Sequence, residues 1–206
     1  SRTAYVKDNE DVRDLVAGLT PADTFYRIEK VDGKTKNDGA WMNFPTVSLF
    51  SSTANADMTD LFKKLGCEAS TNAYSIEGST PLVDSLFSIR YGLYSWNQGA
   101  NPLLTLAGQE GDTWLYRKEY TLPLGFGISM DLEDNWQLDL GNPADVQNDL
   151  CTVLGTPWVL EEVYGEDGGG TYAYTVEAEA DYYAYITKRQ AKKVKVAWGE
   201  ESPTYD

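Results

Sequence analysis

The sequence predicts an α+β protein, in which a mixed α/β subdomain with about four helices is followed by antiparallel β strands that form a partial β-sandwich. Apolar residues recur at helical spacing in four segments before residue 155, and only strand patterns remain after it. We therefore divide the chain into a mixed α/β subdomain over residues 1–155 and a β-rich subdomain over residues 156–206. The second is too short for a complete sandwich, so it is either a truncated one or packed on the first subdomain.

Each of the four predicted helices combines an apolar stripe with signals at its ends. The predicted segments are residues 8–19, 56–65, 81–89 and 143–154. In the last of these, Asn142 can cap the first turn, Pro143 occupies the first helical position and Gly155 can end the helix. Local hydrogen-bonding chemistry therefore predicts this helix more firmly than periodicity alone would.

Alternating and β-branched or aromatic runs predict the strands. The predicted strands are residues 25–31, 46–50, 90–94, 103–106, 114–120, 122–130, 158–164, 171–187 and 193–198. Residues 108–112 form a predicted hairpin loop, and the glycines within 122–130 favour a bent or edge strand there.

Charge and hydropathy exclude several classes of partner. The net charge of −15 repels phosphate backbones, so we expect no nucleic-acid partner, and it disfavours docking on anionic lipid. No apolar run reaches the roughly 18 residues of a membrane span. The abrupt start and end of the chain favour a piece of a longer protein.

Catalytic chemistry is scarce. The chain has no histidine, which removes Ser-His and Cys-His pairs and most transition-metal sites, and no glycine-rich nucleotide loop is present. We therefore predict no catalytic residue, no metal and no cofactor. Acidic residues 131–135 are interpreted as a solvated turn rather than a calcium loop. The pairs Glu161/Glu162 and Glu177/Glu179 are the alternative, a glycosidase site, which the alternation with Ala178 and Ala180 disfavours.

Polar residues within apolar segments are the candidate binding residues. They are Arg27, Ser51, Ser52, Asp84 and Arg90. Together they allow a buried ion-pair network or a polar pocket, and the network is favoured because buried charges persist only when paired. The two cysteines, Cys67 and Cys151, leave two alternatives open: a disulfide, or two small buried apolar residues.

Several motifs follow one another along the chain: residues 25–28 (FYRI), 48–53 (SLFSST), 65–66 (LG), 78–91 (GSTPLVDSLFSIRY), 120–126 (YTLPLGF) and 142–148 (NPADVQN). In this order they resemble the extracytoplasmic region of the YfhO family of bacterial multi-pass membrane proteins. The likeness spans roughly residues 5–200. Ser88 to Tyr91 depart from the Gly and Lys expected in that segment, which weakens any specific role for Arg90.

The resemblance implies a glycosyltransferase of the GT-C-like, polyprenyl-phosphate-sugar-dependent type, linked to lipoteichoic acid or a related cell-wall glycopolymer. The catalytic carboxylates would lie in loops near transmembrane helices. This chain would then be an accessory domain on the extracytoplasmic face of the bacterial membrane. Its partners would be the transmembrane part of the same polypeptide and a cell-wall glycan. The alternative function is a free-standing carbohydrate-binding module, indicated by the many Tyr and Trp residues.

Overall fold

A computed structural model describes residues 6–19, 24–128, 130–156, 160–164, 170–175, 182–184, 194–195 and 204–205. The helices in this part are α1 (Asn9–Ala17), α2 (Asp38–Met42), α3 (Ala56–Lys64), α4 (Pro81–Leu86), α5 (Asp131–Asn135) and α6 (Pro143–Leu154). The strands are β1 (Arg27–Lys30), β2 (Leu49–Phe50), β3 (Ala69–Ser70), β4 (Ala73–Tyr74), β5 (Ile89–Tyr94), β6 (Leu104–Glu110), β7 (Thr113–Lys118), β8 (Leu160–Tyr164), β9 (Gly170–Thr175), β10 (Tyr182–Ala184), β11 (Val194–Lys195) and β12 (Thr204–Tyr205). The predicted α+β class is confirmed.

The first compact unit comprises Ser1–Thr59, Glu68–Glu77 and Val83–Phe126. Its main sheet has the strand order β1-β5-β7-β6, in which β1 and β5 are parallel and the other neighbours are antiparallel. Helix α1 packs against β6 and β7. The side chains that form the core between these elements are Val12, Ile28, Met42, Phe44, Leu93 and Leu115.

A small second sheet in the same unit has the order β2-β4-β3. The side chain of Asn37 holds its edge: Asn37 Nδ2 donates to the Phe50 carbonyl at 3.0 Å, and the Phe50 N–H donates to Asn37 Oδ1 at 2.8 Å. The turn before α2 is thereby attached to β2 through both backbone groups of one residue.

The second compact unit comprises Asp60–Cys67, Gly78–Leu82 and Gly127–Asp206. Helix α6 begins as predicted, because Asn142 Oδ1 accepts from the Ala144 N–H at 3.0 Å, and it ends at Gly155, whose φ is 69°. Strands β8, β9 and β10 form an antiparallel sheet, and β11 pairs with β12. The domain boundary expected after residue 155 stays a prediction.

Several elements differ from the sequence-based expectation. Residues 122–128 and 130, the described part of a predicted strand, form no strand and pair with no neighbouring strand. Leu124 and Met130 in this segment are exposed. The expected hairpin loop is shorter, because β6 continues to Glu110 and the turn is Gly111-Asp112. Residues 131–135 form the single helical turn α5 rather than a loop. Helix α2 and strands β3 and β4 were not predicted, because segments of five and two residues are too short to show a hydrophobic period.

Candidate functional site

The first unit contains a cavity of about 430 Å³ beside the carboxyl end of β1. Its walls are residues 29–36, 38 and 39, on the segment that runs from β1 through a turn into α2, together with residues from 44–48 and 75–77. A volume in the range of about 300–1,000 Å³ is typical of small-molecule sites. The lining is rich in charged and hydroxyl side chains, so we take this cavity as the candidate functional site.

Glu29 forms one wall of the cavity although its side chain is almost fully buried. Its Oε1 accepts hydrogen bonds from the Val47 N–H at 2.5 Å, the Ser48 N–H at 3.2 Å and the Thr46 hydroxyl. Its Oε2 accepts from Ser48 Oγ at 2.9 Å. Burial raises the pKa of Glu29 above its ordinary value, and these hydrogen bonds oppose that rise only in part. Glu29 therefore anchors the 46–48 segment on β1.

Asp38 organises the turn that closes the cavity. Its carboxylate accepts from the Lys34 N–H at 2.7 Å, the Thr35 N–H at 2.9 Å and Thr35 Oγ1 at 2.7 Å. Gly39 follows, where a β-carbon would lie 2.3 Å from Thr46 Cγ2. The absence of a side chain at Gly39 lets the turn approach the 46–48 segment closely.

Two lysines that line the cavity, Lys30 and Lys36, form ion pairs with nearby carboxylates. Lys30 Nζ lies 2.9 Å from Asp32 Oδ1, and the other carboxylate oxygen of Asp32 accepts a hydrogen bond from Ser95 Oγ.

Lys36 makes its contacts with the segment of residues 68–77. Its Nζ donates to Ser75 Oγ at 3.0 Å, lies 3.8 Å from Glu77 Oε2 and pairs with Glu68. The hydrogen bond from Lys36 is the main reason why the pKa of Glu68 is lowered. Donors and acceptors of the cavity wall are thus held in place by one another, which favours binding of a polar ligand over covalent chemistry.

Metal binding has no support in the part of the chain that the structure describes, where no group of three His, Cys, Asp or Glu side chains could hold an ion. The two cysteines are buried and are not joined by a disulfide. Glu161 and Glu162 lie on β8, and Glu177 and Glu179 lie outside the described residues.

The five predicted site residues do not line the cavity. Arg27 Nη1 donates to the Phe87 carbonyl at 2.7 Å, and Arg90 Nη2 donates to Thr24 Oγ1 at 3.1 Å. Asp84 is buried and pairs with Lys118. Arg27 and Arg90 lie on the adjacent strands β1 and β5, and each guanidinium also stacks on an aromatic ring.

Ser51 and Ser52 lie on the loop after β2, where Ser51 Oγ is 3.1 Å from Thr53 Oγ1. The idea of a binding site at these five residues stays a prediction.

Sequence reasoning missed the cavity. Its only signal in the sequence is the density of charged and hydroxyl residues in 30–38 (KVDGKTKND), which a solvated turn would also show. The distant partners of these residues come from 7–9, 50, 68–77 and 95, so no local pattern could have found them.

Among the described residues, no helix has both the length and the apolar character that crossing a membrane requires. The family model described as bacterial membrane protein YfhO matches residues 1–200. No curated protein shows a significant match to the chain, and no solved structure does. The family match covers nearly the whole sequence and agrees with the ordered motifs. The chain therefore belongs to the YfhO family of bacterial membrane proteins.

Proposed function

We propose that this chain is an extracytoplasmic accessory domain of a membrane glycosyltransferase-like protein that acts on lipoteichoic acid or a related cell-wall glycopolymer. The observation that carries the proposal is the polar cavity of the first unit, in a chain that belongs to a bacterial membrane protein family. The membrane-embedded part of the same polypeptide supplies the chemistry, and the cavity holds the acceptor glycan.

The cavity suits a ligand with many hydroxyl groups. Lys36 and Ser75 offer donors, and the carboxylates of Asp32 and Glu77 offer acceptors. Because the ion pairs and hydrogen bonds within the wall already fix these groups, little conformational entropy is lost when a ligand binds. A hydroxyl can both donate and accept a hydrogen bond, so it matches this mixed lining better than a group that only donates or only accepts.

The side of the membrane is tested by labelling an introduced cysteine. Ala100 lies in an exposed loop, and the two native thiols are buried. In intact cells, Ala100→Cys of the complete protein is expected to take up more of a membrane-impermeant maleimide than the unsubstituted protein does. Labelling that requires permeabilised cells would place the domain in the cytoplasm and overturn the proposal.

The role in glycopolymer modification is tested by complementing a deletion strain with cavity variants. Lys36→Met removes the ammonium donor to Ser75, whereas Lys63→Met removes an exposed lysine that does not line the cavity. We expect Lys36→Met to lower the sugar content of lipoteichoic acid at an unchanged protein level in the membrane, and Lys63→Met to leave it unchanged. A deletion strain with normal sugar content would contradict the proposal.

A free-standing carbohydrate-binding module is the second candidate, favoured by the exposed side chains of Trp96 and Phe50. The two candidates differ in the state of the native protein. Recovery of the chain from the culture medium, free of membranes, would favour the module, and recovery only with the membrane fraction would favour the accessory domain.

A further inference from the structure

Two residues with exposed aromatic rings lie beside residues of the turn that forms the cavity wall, to which hydrogen bonds of their backbone or of a neighbouring residue hold them. Trp96 is 51 % exposed and Phe50 is 54 % exposed. Trp96 directly follows Ser95, whose hydroxyl donates to Asp32 of the cavity wall. Phe50 is bonded through both its backbone groups to Asn37, which lies between the lining residues Lys36 and Asp38. Trp96 is therefore next in the chain to a residue that bonds the cavity wall at Asp32, and the backbone of Phe50 is bonded to Asn37, the neighbour of two lining residues.

The ring of Trp96 is held in place although half of it faces solvent. The Tyr94 ring meets it edge to face, with centroids 6.0 Å apart and an interplanar angle of 80°. The loop that follows is fixed by Tyr116, whose hydroxyl donates to Asn97 Oδ1 at 3.0 Å and accepts from the Gln98 N–H at 3.1 Å. A fixed ring offers a flat apolar face at little entropic cost on binding.

Charge decides between the polar ligands that the cavity could take. Three lysines of the lining stand against the carboxyl groups of Glu29, Asp32, Asp38 and Glu77, and the whole chain carries a net charge of −15. A phosphate or carboxylate ligand would enter against a negative field, while the ammonium groups of Lys30 and Lys36 are already paired with carboxylates. A neutral ligand is not repelled by this field and does not have to compete with carboxylates for the lysine ammonium groups.

We propose that the cavity and the rings of Trp96 and Phe50 form one binding site for a neutral saccharide of at least two sugar units. Hydroxyl groups of one unit exchange hydrogen bonds with the cavity wall, and the apolar face of an adjoining unit stacks on a ring. This inference rests on the proposed function in that the saccharide belongs to the acceptor glycan, and it assigns recognition to the neutral sugars rather than to phosphates.

Binding is tested with cellobiose and maltose, titrated calorimetrically into the complete protein in a detergent without sugar head groups. Glycerol 3-phosphate serves as the anionic comparison. We expect saturable binding of at least one disaccharide and none of glycerol 3-phosphate at the same concentration. Loss of an aromatic stacking contact, worth about 0.5–1.5 kcal/mol, predicts that Trp96→Ala and Phe50→Ala each weaken binding by about twofold to tenfold.

Leu106→Ala is the matched control, because Leu106 is as exposed as Trp96 but does not line or bond to the cavity wall. Trp96→Phe keeps a ring and is expected to retain most of the affinity. No disaccharide binding up to about 10 mM, tighter binding of glycerol 3-phosphate, or equal losses in Trp96→Ala and Leu106→Ala would each overturn the inference. If Lys36→Met lowers the sugar content of lipoteichoic acid but any of these binding results is obtained, the saccharide site is wrong and the accessory function stands. Failure of this inference can therefore be distinguished from failure of the proposed function.

Discussion

The ammonium group of Lys118 and the carboxylate of Asp84 form a buried ion pair, in which the two side chains are only 3 % and 7 % exposed. The pair links β7 to helix α4. It also accounts for part of the raised pKa of Tyr94, which burial raises first and the negative charge of Asp84 raises further. A buried pair of this kind is costly to break from one side only, because the remaining charge has no compensation.

Replacing Asp84 with leucine leaves the Lys118 ammonium group buried opposite an apolar side chain. We expect a loss of about 3–5 kcal/mol in the free energy of unfolding, measured by urea denaturation. The double variant Asp84→Leu/Lys118→Met is expected to recover most of this loss. Glu119→Ala, which breaks the exposed pair with Arg117, is the control and should have little effect. Equal losses in the single and double variants would show that the charge is not the cause.

The buried carboxyl of Glu29 predicts a pH dependence. Its pKa is raised on folding, so the folded state binds the proton more tightly, and this contribution to stability is present at low pH and lost as the pH rises through the folded pKa. Glu29→Gln keeps an oxygen for the Val47 and Ser48 N–H groups and has no carboxyl to titrate. As the pH rises from about 4 to 7, the urea midpoint of Glu29→Gln should therefore rise relative to that of the natural protein. A trend in the opposite direction would contradict the assignment.

The close approach of Gly39 to the 46–48 segment predicts that alanine does not fit. A β-carbon there would lie 2.3 Å from Thr46 Cγ2 and 2.9 Å from the Phe44 carbonyl oxygen. Overpacking of this kind costs about 1–3 kcal/mol, so we expect Gly39→Ala to lower the thermal midpoint. Gly125→Ala is the matched control, because no atom lies within 4 Å of a β-carbon at that position. Equal effects of the two changes would rule out the clash as the cause.

Ser88 carries two local costs that glycine would remove. Its φ of 57° lies in the left-handed region, and its buried hydroxyl has no hydrogen-bond partner among the described residues. Ser88→Gly is expected to stabilise the protein by about 1 kcal/mol, despite the greater chain entropy of glycine in the unfolded state. Differential scanning calorimetry measures the change. Ser88→Ala separates the two effects, because it removes the hydroxyl but keeps the strained backbone, and it should stabilise less than Ser88→Gly.

The side chain of Asn148 on α6 satisfies both backbone groups of Leu160 at the start of β8. Its Nδ2 donates to the Leu160 carbonyl at 2.7 Å, and its Oδ1 accepts from the Leu160 N–H at 3.1 Å. Asn148→Ala should cost about 1–3 kcal/mol for each group left unpaired and abolish slow hydrogen exchange at the Leu160 amide. The exposed Thr152→Ala on the same helix is the control. Retained slow exchange in Asn148→Ala would show that this contact does not hold β8.

Local chemistry explains which parts of the fold the sequence could predict. Helix α6 is defined by Asn142, Pro143 and Gly155, residues that act within one turn of the helix ends. The stripes of α1 and α3 and the long strands β5 and β7 likewise show their period within their own residues. The strand prediction for residues 122–130 was wrong because their apolar residues resemble a strand pattern. In the described part of this segment the backbone pairs with no neighbouring strand.

The sequence by itself determined the α+β class, the principal helices and strands, the absence of histidine chemistry and the motifs of the family. Only the tertiary structure decided where the polar groups meet. Glu29 meets the 46–48 segment, Lys36 meets Ser75, and Asp84 pairs with Lys118 rather than with either predicted arginine. The reason is physical: a helix cap acts between neighbours in the chain, whereas a cavity wall or buried ion pair joins groups that only packing of the strands brings within hydrogen-bond distance.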